Sequence, residues 1–499
     1  MADQYFATSD PQDPDRGLFN PGRLDRSIIS IPLLQELAGR AERDSVRVVF
    51  DLNLLFPRGA HASGLEAAGA RVLELLDELH GQRSDLPCRV SSQQPGSQYV
   101  LATLSPVLIR QVVTADLQSA VDGNRAIYHV WPDFEVQAQL DASVATVKAD
   151  AARASFAATG RGIVWAVLDS GVCVDHPHFA LHGNCRDLPP GLEHRSFVDG
   201  PPDKDALGHG THVAGIIAGE ASAADDFLAA YRSERDQDDR AVPRLARIRM
   251  ISGVAPECTI LSYRVLDDAG TGNSGAILDA LQAVHEVNNY GRLLRIHGVN
   301  ISAGYPFKPE WFACGQSPVC TAVDRLVRSG VVVVVSAGNT GYAYAVDAFD
   351  RAPVAAGRAM TINDPGNAEL AITVGSTHRD SPHLYGVSYF SSKGPTGDGR
   401  AKPDLVAPGE RILSAGAGAM RDKASGDGTS MDYIEHSGTS MAAPHVSGAI
   451  AAFLSVRREF IGQPERVKHI FTETATDLGR VREFQGHGLV DLMRAIQYV

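Results

Sequence analysis

A chain of 499 residues has room for two or three domains, and a composition of 44% hydrophobic and 21% charged residues is that of a folded protein, not a disordered or fibrous one. The formal charge of −13 excludes nucleic acid as the main partner, because phosphate binding needs clustered Lys and Arg. No apolar run approaches roughly 18 residues, so no membrane span or membrane partner is expected, and 6 cysteines in so long a chain are too few for a disulfide scaffold.

The start, Met1 to Phe6, is polar and acidic without an apolar core, so no secretory leader is expected and cytoplasmic residence is the default, export by another route staying open. Residues 1–44 read as an irregular extension with one short helix. From Val46 the residues Val46, Val48, Phe50, Leu52 and Leu54 alternate as a half-buried strand does. Ser63 with Glu66 forms a capping box before a helix whose apolar positions are Leu65, Ala68, Val72, Leu75, Leu76 and Leu79. A strand near 98–104, a helix opened by Ser105-Pro106 and a strand over Ala126 to Trp131 follow. The order β-α-β-α-β over 45–133 predicts a small α+β domain, with 134–160 as a linker.

From 161 onward the pattern changes. Ile163 to Leu168 is a continuous apolar run, the mark of a strand buried on both faces, and it ends at Asp169-Ser170-Gly171. Gly208-His209-Gly210-Thr211-His212-Val213-Ala214-Gly215 places His209 at the start of an apolar helix. The charged stretch from Glu220 to Arg247 reads as a solvated insertion. A strand over Thr259 to Leu266 leads to Gly270-Thr271-Gly272-Asn273-Ser274-Gly275, which matches a dinucleotide fingerprint in form. A helix over 277–287 and a strand ending at Ser302-Ala303-Gly304 come next. Val331 to Val335, a run of valines, then delivers Ser336-Ala337-Gly338-Asn339. After strands near 371–375 and 402–409, Gly438-Thr439-Ser440-Met441-Ala442-Ala443-Pro444-His445 brings one hydroxyl, Ser440, to the first turn of an apolar helix. An anion developing there meets free N–H groups and the positive end of the helix dipole.

A serine hydroxyl is a weak nucleophile until a base takes its proton. The chain supplies an Asp, a His and a Ser in one of the three unrelated orders in which that triad recurs. On the motifs around Asp169, His209 and Ser440, the sequence resembles the subtilisin-like serine proteases (subtilases) over about two-thirds of its length. The resemblance implies a doubly wound α/β catalytic domain with a mainly parallel sheet over 161–499, with no further domain after the final helix at Leu492 to Tyr498. It implies a serine endopeptidase working through an acyl-enzyme: Ser440 as nucleophile, His209 as base, Asp169 as its orienting carboxylate and Asn339 as an oxyanion donor. It makes Gly270-Thr271-Gly272 and Ser302-Ala303-Gly304 two edges that pair with a protein or peptide substrate, and excludes NAD at the first. Ser302 to Gly304 and Ser336, Ala337 and Gly338 would wall the pocket for the residue before the cut, with its floor unidentified. The chemistry needs no cofactor. Structural calcium, common in the family, is left open, with Asn363-Asp364 one acidic candidate and no ligand spacing that fixes a site.

By the same resemblance the 45–133 domain looks like an inhibitory propeptide, cut within 132–143 and made as part of a zymogen. An accessory domain that stays attached is the alternative. A narrow-specificity processing peptidase or transpeptidase and a non-catalytic peptide-binding relative are the competing functions, the last disfavoured because all four catalytic candidates are present. Gly428-Thr429-Ser430-Met431 repeats the nucleophile motif, but no small-residue helix follows it. His212 and His445 read as packing residues. Asp175, His176, His178, His182 and Cys185 match no standard zinc spacing and read as a polar loop. Cys314 and Cys320 are the local pair that an oxidising compartment would join, free thiols being as plausible.

Overall fold

The computed structural model describes residues 28–57, 63–92, 97–119, 125–132, 142–223, 227–235, 241–308, 314–346, 353–425 and 431–499. The chain divides into two units, 1–138 and 139–499. The repeated motif at Ser430 and most of the expected processing segment lie outside the described residues.

The first unit runs α1 (Ile31–Ala38), β1 (Val46–Leu52), α2 (Gly64–Gln82), β2 (Cys88–Ser92), β3 (Tyr99–Leu104), α3 (Pro106–Ser119) and β4 (Ile127–Pro132). Val46, Val48, Phe50 and Leu52 are buried on one face of β1, while Leu54 lies past the strand end and is exposed. The capping box forms as expected: the Ser63 hydroxyl accepts from the Glu66 N–H, and the Glu66 carboxylate accepts from the Ser63 N–H at 2.7 Å. The sheet order is β2-β3-β1-β4, all antiparallel, a split β-α-β arrangement whose core joins Val72, Leu75 and Leu76 of α2 to Val100, Leu104, Leu108 and Val112. The strand β2 was not expected. It is a short, largely exposed edge without a stripe of large apolar residues, so it carries little periodic signal.

The second unit is built on a seven-stranded sheet. Its strands are β5 (Val164–Asp169), β6 (Arg195–Ser196), β9 (Thr259–Arg264), β10 (Gly298–Ile301), β11 (Val332–Ser336), β12 (Ile372–His378) and β13 (Leu405–Glu410). The skipped numbers belong to a hairpin, β7 (Leu228–Arg235) and β8 (Ala241–Ile248). The spatial order is β13-β12-β11-β10-β5-β9-β6, with every neighbouring pair parallel. This is the expected doubly wound sheet.

Both faces are covered, which is why the strands read as unbroken apolar runs. Trp165 and Val167 of β5 face one core with Val332 and Val334, while Val164, Ala166 and Leu168 face the other with Val333 and Val335. The first core also holds α4 (His209–Ile217) and the long helix Thr439–Val456. The second holds α5 (Ser274–Val287) and α6 (Pro318–Arg328). Thr439–Val456 is long and apolar enough by composition to cross a membrane, but here its side chains are buried in the core.

The stretch from Glu220 to Arg247 differs from the expected solvated insertion. The hairpin β7–β8 pairs through β7 with β15 (Tyr433–His436), which in turn pairs with β14 (Ile412–Ala415). Ala230 and Ile248 are fully buried in a small core with Leu413 and Tyr433. The few buried apolar residues of these strands stand among arginines, so charge concealed them. All six cysteines are free thiols, Cys314 and Cys320 included.

Candidate active site

The sheet reverses direction of growth between β5 and β10, and in open parallel sheets the ligand crevice lies beyond the carboxyl ends at such a point. Asp169 ends β5 there, fully buried. Its Oδ1 accepts from the Ser170 N–H at 2.8 Å and lies 2.7 Å from His209 Nδ1. His209 opens α4 directly beneath it, and Gly210 is required next: a Cβ there would overlap the Gly171 carbonyl and sit 3.0 Å from Asp169 Cβ. Burial by itself pushes the His209 imidazole down, but the Asp169 charge and hydrogen bond outweigh it and hold the imidazole above its ordinary value.

Asp205, which sequence reasoning passed over, braces the pair. It accepts from Ser170 Oγ at 2.9 Å, from the N–H groups of Gly208 and Thr211 at 2.8 Å, and from Thr211 Oγ1 at 2.7 Å. One carboxylate thereby joins the turn after β5 to the start of α4. Asp205 lies three residues ahead of the helix N-cap, Gly208, so no capping rule pointed to it. Burial raises this carboxyl above its usual range, against those hydrogen bonds.

Ser440 sits in the first turn of the long helix. Gly438 precedes it and donates to the Gly409 carbonyl at 2.8 Å. Pro444 lies four residues after Ser440 and has no N–H to give the Ser440 carbonyl, which accepts instead from Ser302 Oγ at 3.0 Å. In return Ser440 Oγ donates to the Ser302 carbonyl at 3.1 Å. Ser440 Oγ is thus bonded to Ser302 and not to His209, although His209 and Ser440 line the same cleft.

Asn339 follows β11. Its Oδ1 accepts from the Thr439 N–H at 2.9 Å and from Thr439 Oγ1 at 3.0 Å, and Thr439 Oγ1 accepts from the Gly338 N–H at 3.1 Å. The acceptor end of the amide is therefore occupied, which leaves Nδ2 as the donor end beside Ser440. Thr439 stands inside the nucleophile motif, yet nothing in its spacing announced this second role.

The cleft, about 570 Å³, is lined by His209, Ser440, Asn339 and by every expected substrate-binding residue except Ala337. Gly270, Thr271 and Gly272 form one side, Ser302, Ala303 and Gly304 another, and Ser336 and Gly338 a third. Ala337 is fully buried and contributes through its carbonyl alone, which accepts from the Asn363 N–H at 3.0 Å. Thr271 is also less available than expected: its N–H is held by Asp267 Oδ1 and its carbonyl by the Asp267 N–H, so its main chain is spent in its own turn. Tyr305 lines the cleft unannounced by any sequence signal, and Asn363, singled out in the sequence only as a calcium candidate, lines it too.

The neighbouring histidines are structural. His212 Nε2 bonds the Ile434 carbonyl at 3.1 Å and His445 Nδ1 the Met441 carbonyl at 2.8 Å. His176 and His178 bond backbone carbonyls, and Asp175 pairs with Lys204 and Arg186, so that loop is already engaged. Among the described residues no three His, Cys, Asp or Glu side chains gather as a metal site. Asp364 is buried, and its Oδ1 accepts from Asn367 Nδ2 at 2.8 Å.

Comparison with known proteins gives the family. A profile of the subtilase family matches residues 160–488. Serine protease AprX of Bacillus subtilis is 28% identical over 432 residues, covering 83% of this chain and 80% of the relative, more than the second unit alone can supply. Subtilisin E of Bacillus subtilis is 27% identical over 339 residues, 68% of this chain and 67% of the relative. Pyrolysin of Pyrococcus furiosus is 32% identical over 329 residues, and the match takes in 58% of this chain but only 21% of pyrolysin. With the family profile spanning most of the chain and the sheet built as that family requires, the chain belongs to the subtilase family of serine endopeptidases.

Proposed function

We propose that the protein hydrolyses peptide bonds of protein or peptide substrates through Ser440, His209 and Asp169. The observation that carries this reading is the 2.7 Å bond between His209 Nδ1 and Asp169 Oδ1, with His209, Ser440 and Asn339 lining one cleft. Asp169 fixes the tautomer, so that Nε2 is the free base. Ser440 Oγ attacks the scissile carbonyl carbon while its proton passes to Nε2. The oxyanion is met by Asn339 Nδ2 and the Ser440 N–H. His209 then gives the proton to the leaving amine, which departs and leaves an acyl-serine. Water repeats the sequence, and the carboxylate product and the free serine result.

Positioned proton transfer contributes roughly 10²–10⁴ in rate. One oxyanion donor contributes about 10²–10³, a figure that derives from subtilisin, a relative of this chain. An amide suits the task because it donates without a charge that would also hold the ground state.

The first unit is proposed to act as an inhibitory propeptide. Its β-α-β-β-α-β build and the length of the AprX match support this, the latter running beyond the catalytic unit.

The test compares the purified parent with Ser440→Ala by intact mass, N-terminal sequencing and casein hydrolysis. Shortening near 132–143 and casein cleavage in the parent alone are expected. Equal activity in both would remove Ser440 from its role. A full-length parent without activity would refute autoprocessing.

A further inference from the structure

We infer that Asn363 selects the residue preceding the cut, and that its amide makes the enzyme favour glutamine or asparagine there. The inference rests on the peptidase reading above and goes on to the side chain it accepts. The two walls of that pocket, Ser302 to Gly304 and Ser336 to Gly338, come from neighbouring strand ends. Asn363 spans them. Its N–H donates to the Ala337 carbonyl of the second wall at 3.0 Å. The next residue, Asp364, exchanges two hydrogen bonds of 2.9 Å with Tyr305, directly after the first wall. The backbone thus ties Asn363 to both walls of the cleft that it lines, a placement the sequence did not reveal.

Glycines make room for the side chain. A Cβ at Gly338 would stand 2.8 Å from Asn363 Cγ and Nδ2, and one at Gly304 would stand 3.7 Å from Asn363 Cβ. The amide itself has no hydrogen-bond partner among the described residues, although Asn363 is half-buried and lines the cleft. The other asparagines near the site each make at least one side-chain bond: Asn300 with Ser302 and Ser447, Asn339 with Thr439, Asn367 with Ile362 and Asp364. Asn363 therefore presents one donor group and one acceptor to whatever enters.

Three classes of entering side chain can be weighed. No Asp, Glu, Lys or Arg lines the cleft, so a charged side chain would lose water without gaining a counter-charge. An apolar one would cover the amide and strand both its donor and its acceptor, the arrangement by which a polar site rejects an analogue lacking the matching group. A carboxamide satisfies both ends at once, head to tail, with two hydrogen bonds.

The experiment uses the full chain and peptides that differ only in the residue before the cut: Gln, Leu, Glu or Lys. The parent, Asn363→Leu and Asn363→Asp are compared, and Ser440 in each is labelled with a fluorophosphonate to establish a competent site. The parent is expected to cut after Gln at least tenfold better in kcat/KM than after Leu or Glu. Asn363→Leu should lose at least tenfold on the Gln peptide while holding or gaining on Leu. Asn363→Asp should turn the preference toward Lys, a gain that mere structural damage would not produce. A labelled parent that cuts after Gln no better than after Leu, or labelled variants with the parent's profile, would overturn the inference. A parent that neither labels nor cuts any peptide would overturn the peptidase reading itself, and this inference with it.

Discussion

Thr439→Val isolates the support of the oxyanion donor from the donor itself. The substitution keeps the shape of the side chain and exchanges one hydroxyl for a methyl. That hydroxyl donates to Asn339 Oδ1 at 3.0 Å and accepts from the Gly338 N–H at 3.1 Å, so two bonds vanish. The Gly338 N–H is then buried without a partner, a loss of about 1–3 kcal/mol in stability. Asn339 keeps its bond from the Thr439 N–H, 2.9 Å, and loses the other. One neutral hydrogen bond is worth about 0.5–1.5 kcal/mol net, so the amide turns away from the reacting carbonyl more often and kcat falls by roughly three- to tenfold. KM should hardly move, because the donor acts on the oxyanion rather than on bound substrate. Thr439→Ser keeps both bonds and should restore kcat. In an Asn339→Ala background, Thr439→Val should lower kcat no further, since the group it orients is gone. Steady-state kinetics on the four variants, with thermal melts beside them, decide the matter. A Thr439→Val enzyme that is less stable but has the parent's kcat, or a full additive loss in the double variant, would refute the reasoning.

Three further outcomes follow from the site and the core. His209 must be neutral to act as base, and Asp169 raises its pKa, so kcat/KM should climb with pH through a value above the usual imidazole range. Asp169→Asn removes the cause that raises it and leaves burial, so the acid limb should move to lower pH while the rate falls about 10⁴-fold; an unmoved limb counts against His209 as the base. Burial holds His178 down to about 3, His445 down to about 4, and His176 and His212 below their ordinary value. These groups are neutral when folded and take up protons near pH 6.5 when unfolded, so their stability is full above pH 6.5 and is lost as pH falls toward 4, by up to about 1.4 kcal/mol per pH unit for each histidine. Urea midpoints between pH 7 and 4.5 should therefore decline steadily, and a flat series would contradict the burial. Gly210→Ala sets a methyl against the Gly171 carbonyl and Asp169 Cβ, and should cut kcat/KM at least tenfold by displacing His209 from Asp169; a parent-like rate would show that the contact yields freely.

What could be read from the sequence was whatever one run of residues decides alone. The unbroken apolar run of β5 and the valines of β11 come from burial on both faces, so each strand declared itself. Asp169, His209, Asn339 and Ser440 stand at the ends of such elements, where small residues mark the turns. The residues that escaped notice depend on partners far along the chain. Asn363 reaches the cleft only because its N–H meets Ala337 and Asp364 meets Tyr305. The hairpin β7–β8 gains its place in a sheet through pairing with β15, and its arginines hid the buried Ala230 and Tyr231. The strand β2 holds its place through pairing with β3 and not through its own composition.

The resting position of Ser440 bears on whether the catalytic unit is silent by itself. Its hydroxyl donates to the Ser302 carbonyl, and rotation toward His209 Nε2 gives up that bond. The reciprocal bond from Ser302 Oγ to the Ser440 carbonyl does not depend on the rotation, and Pro444 keeps that carbonyl available for it. The backbone around the nucleophile therefore stays where it is, and only one side-chain torsion changes. A neutral hydrogen bond exchanged for another differs by about 1 kcal/mol at most, less than a factor of ten in population. Rate enhancements in enzymes of this kind span many powers of ten, so a loss of that size cannot account for latency. On the proposed reading, giving up the bond to the Ser302 carbonyl is a small cost beside the rate enhancement expected of the site.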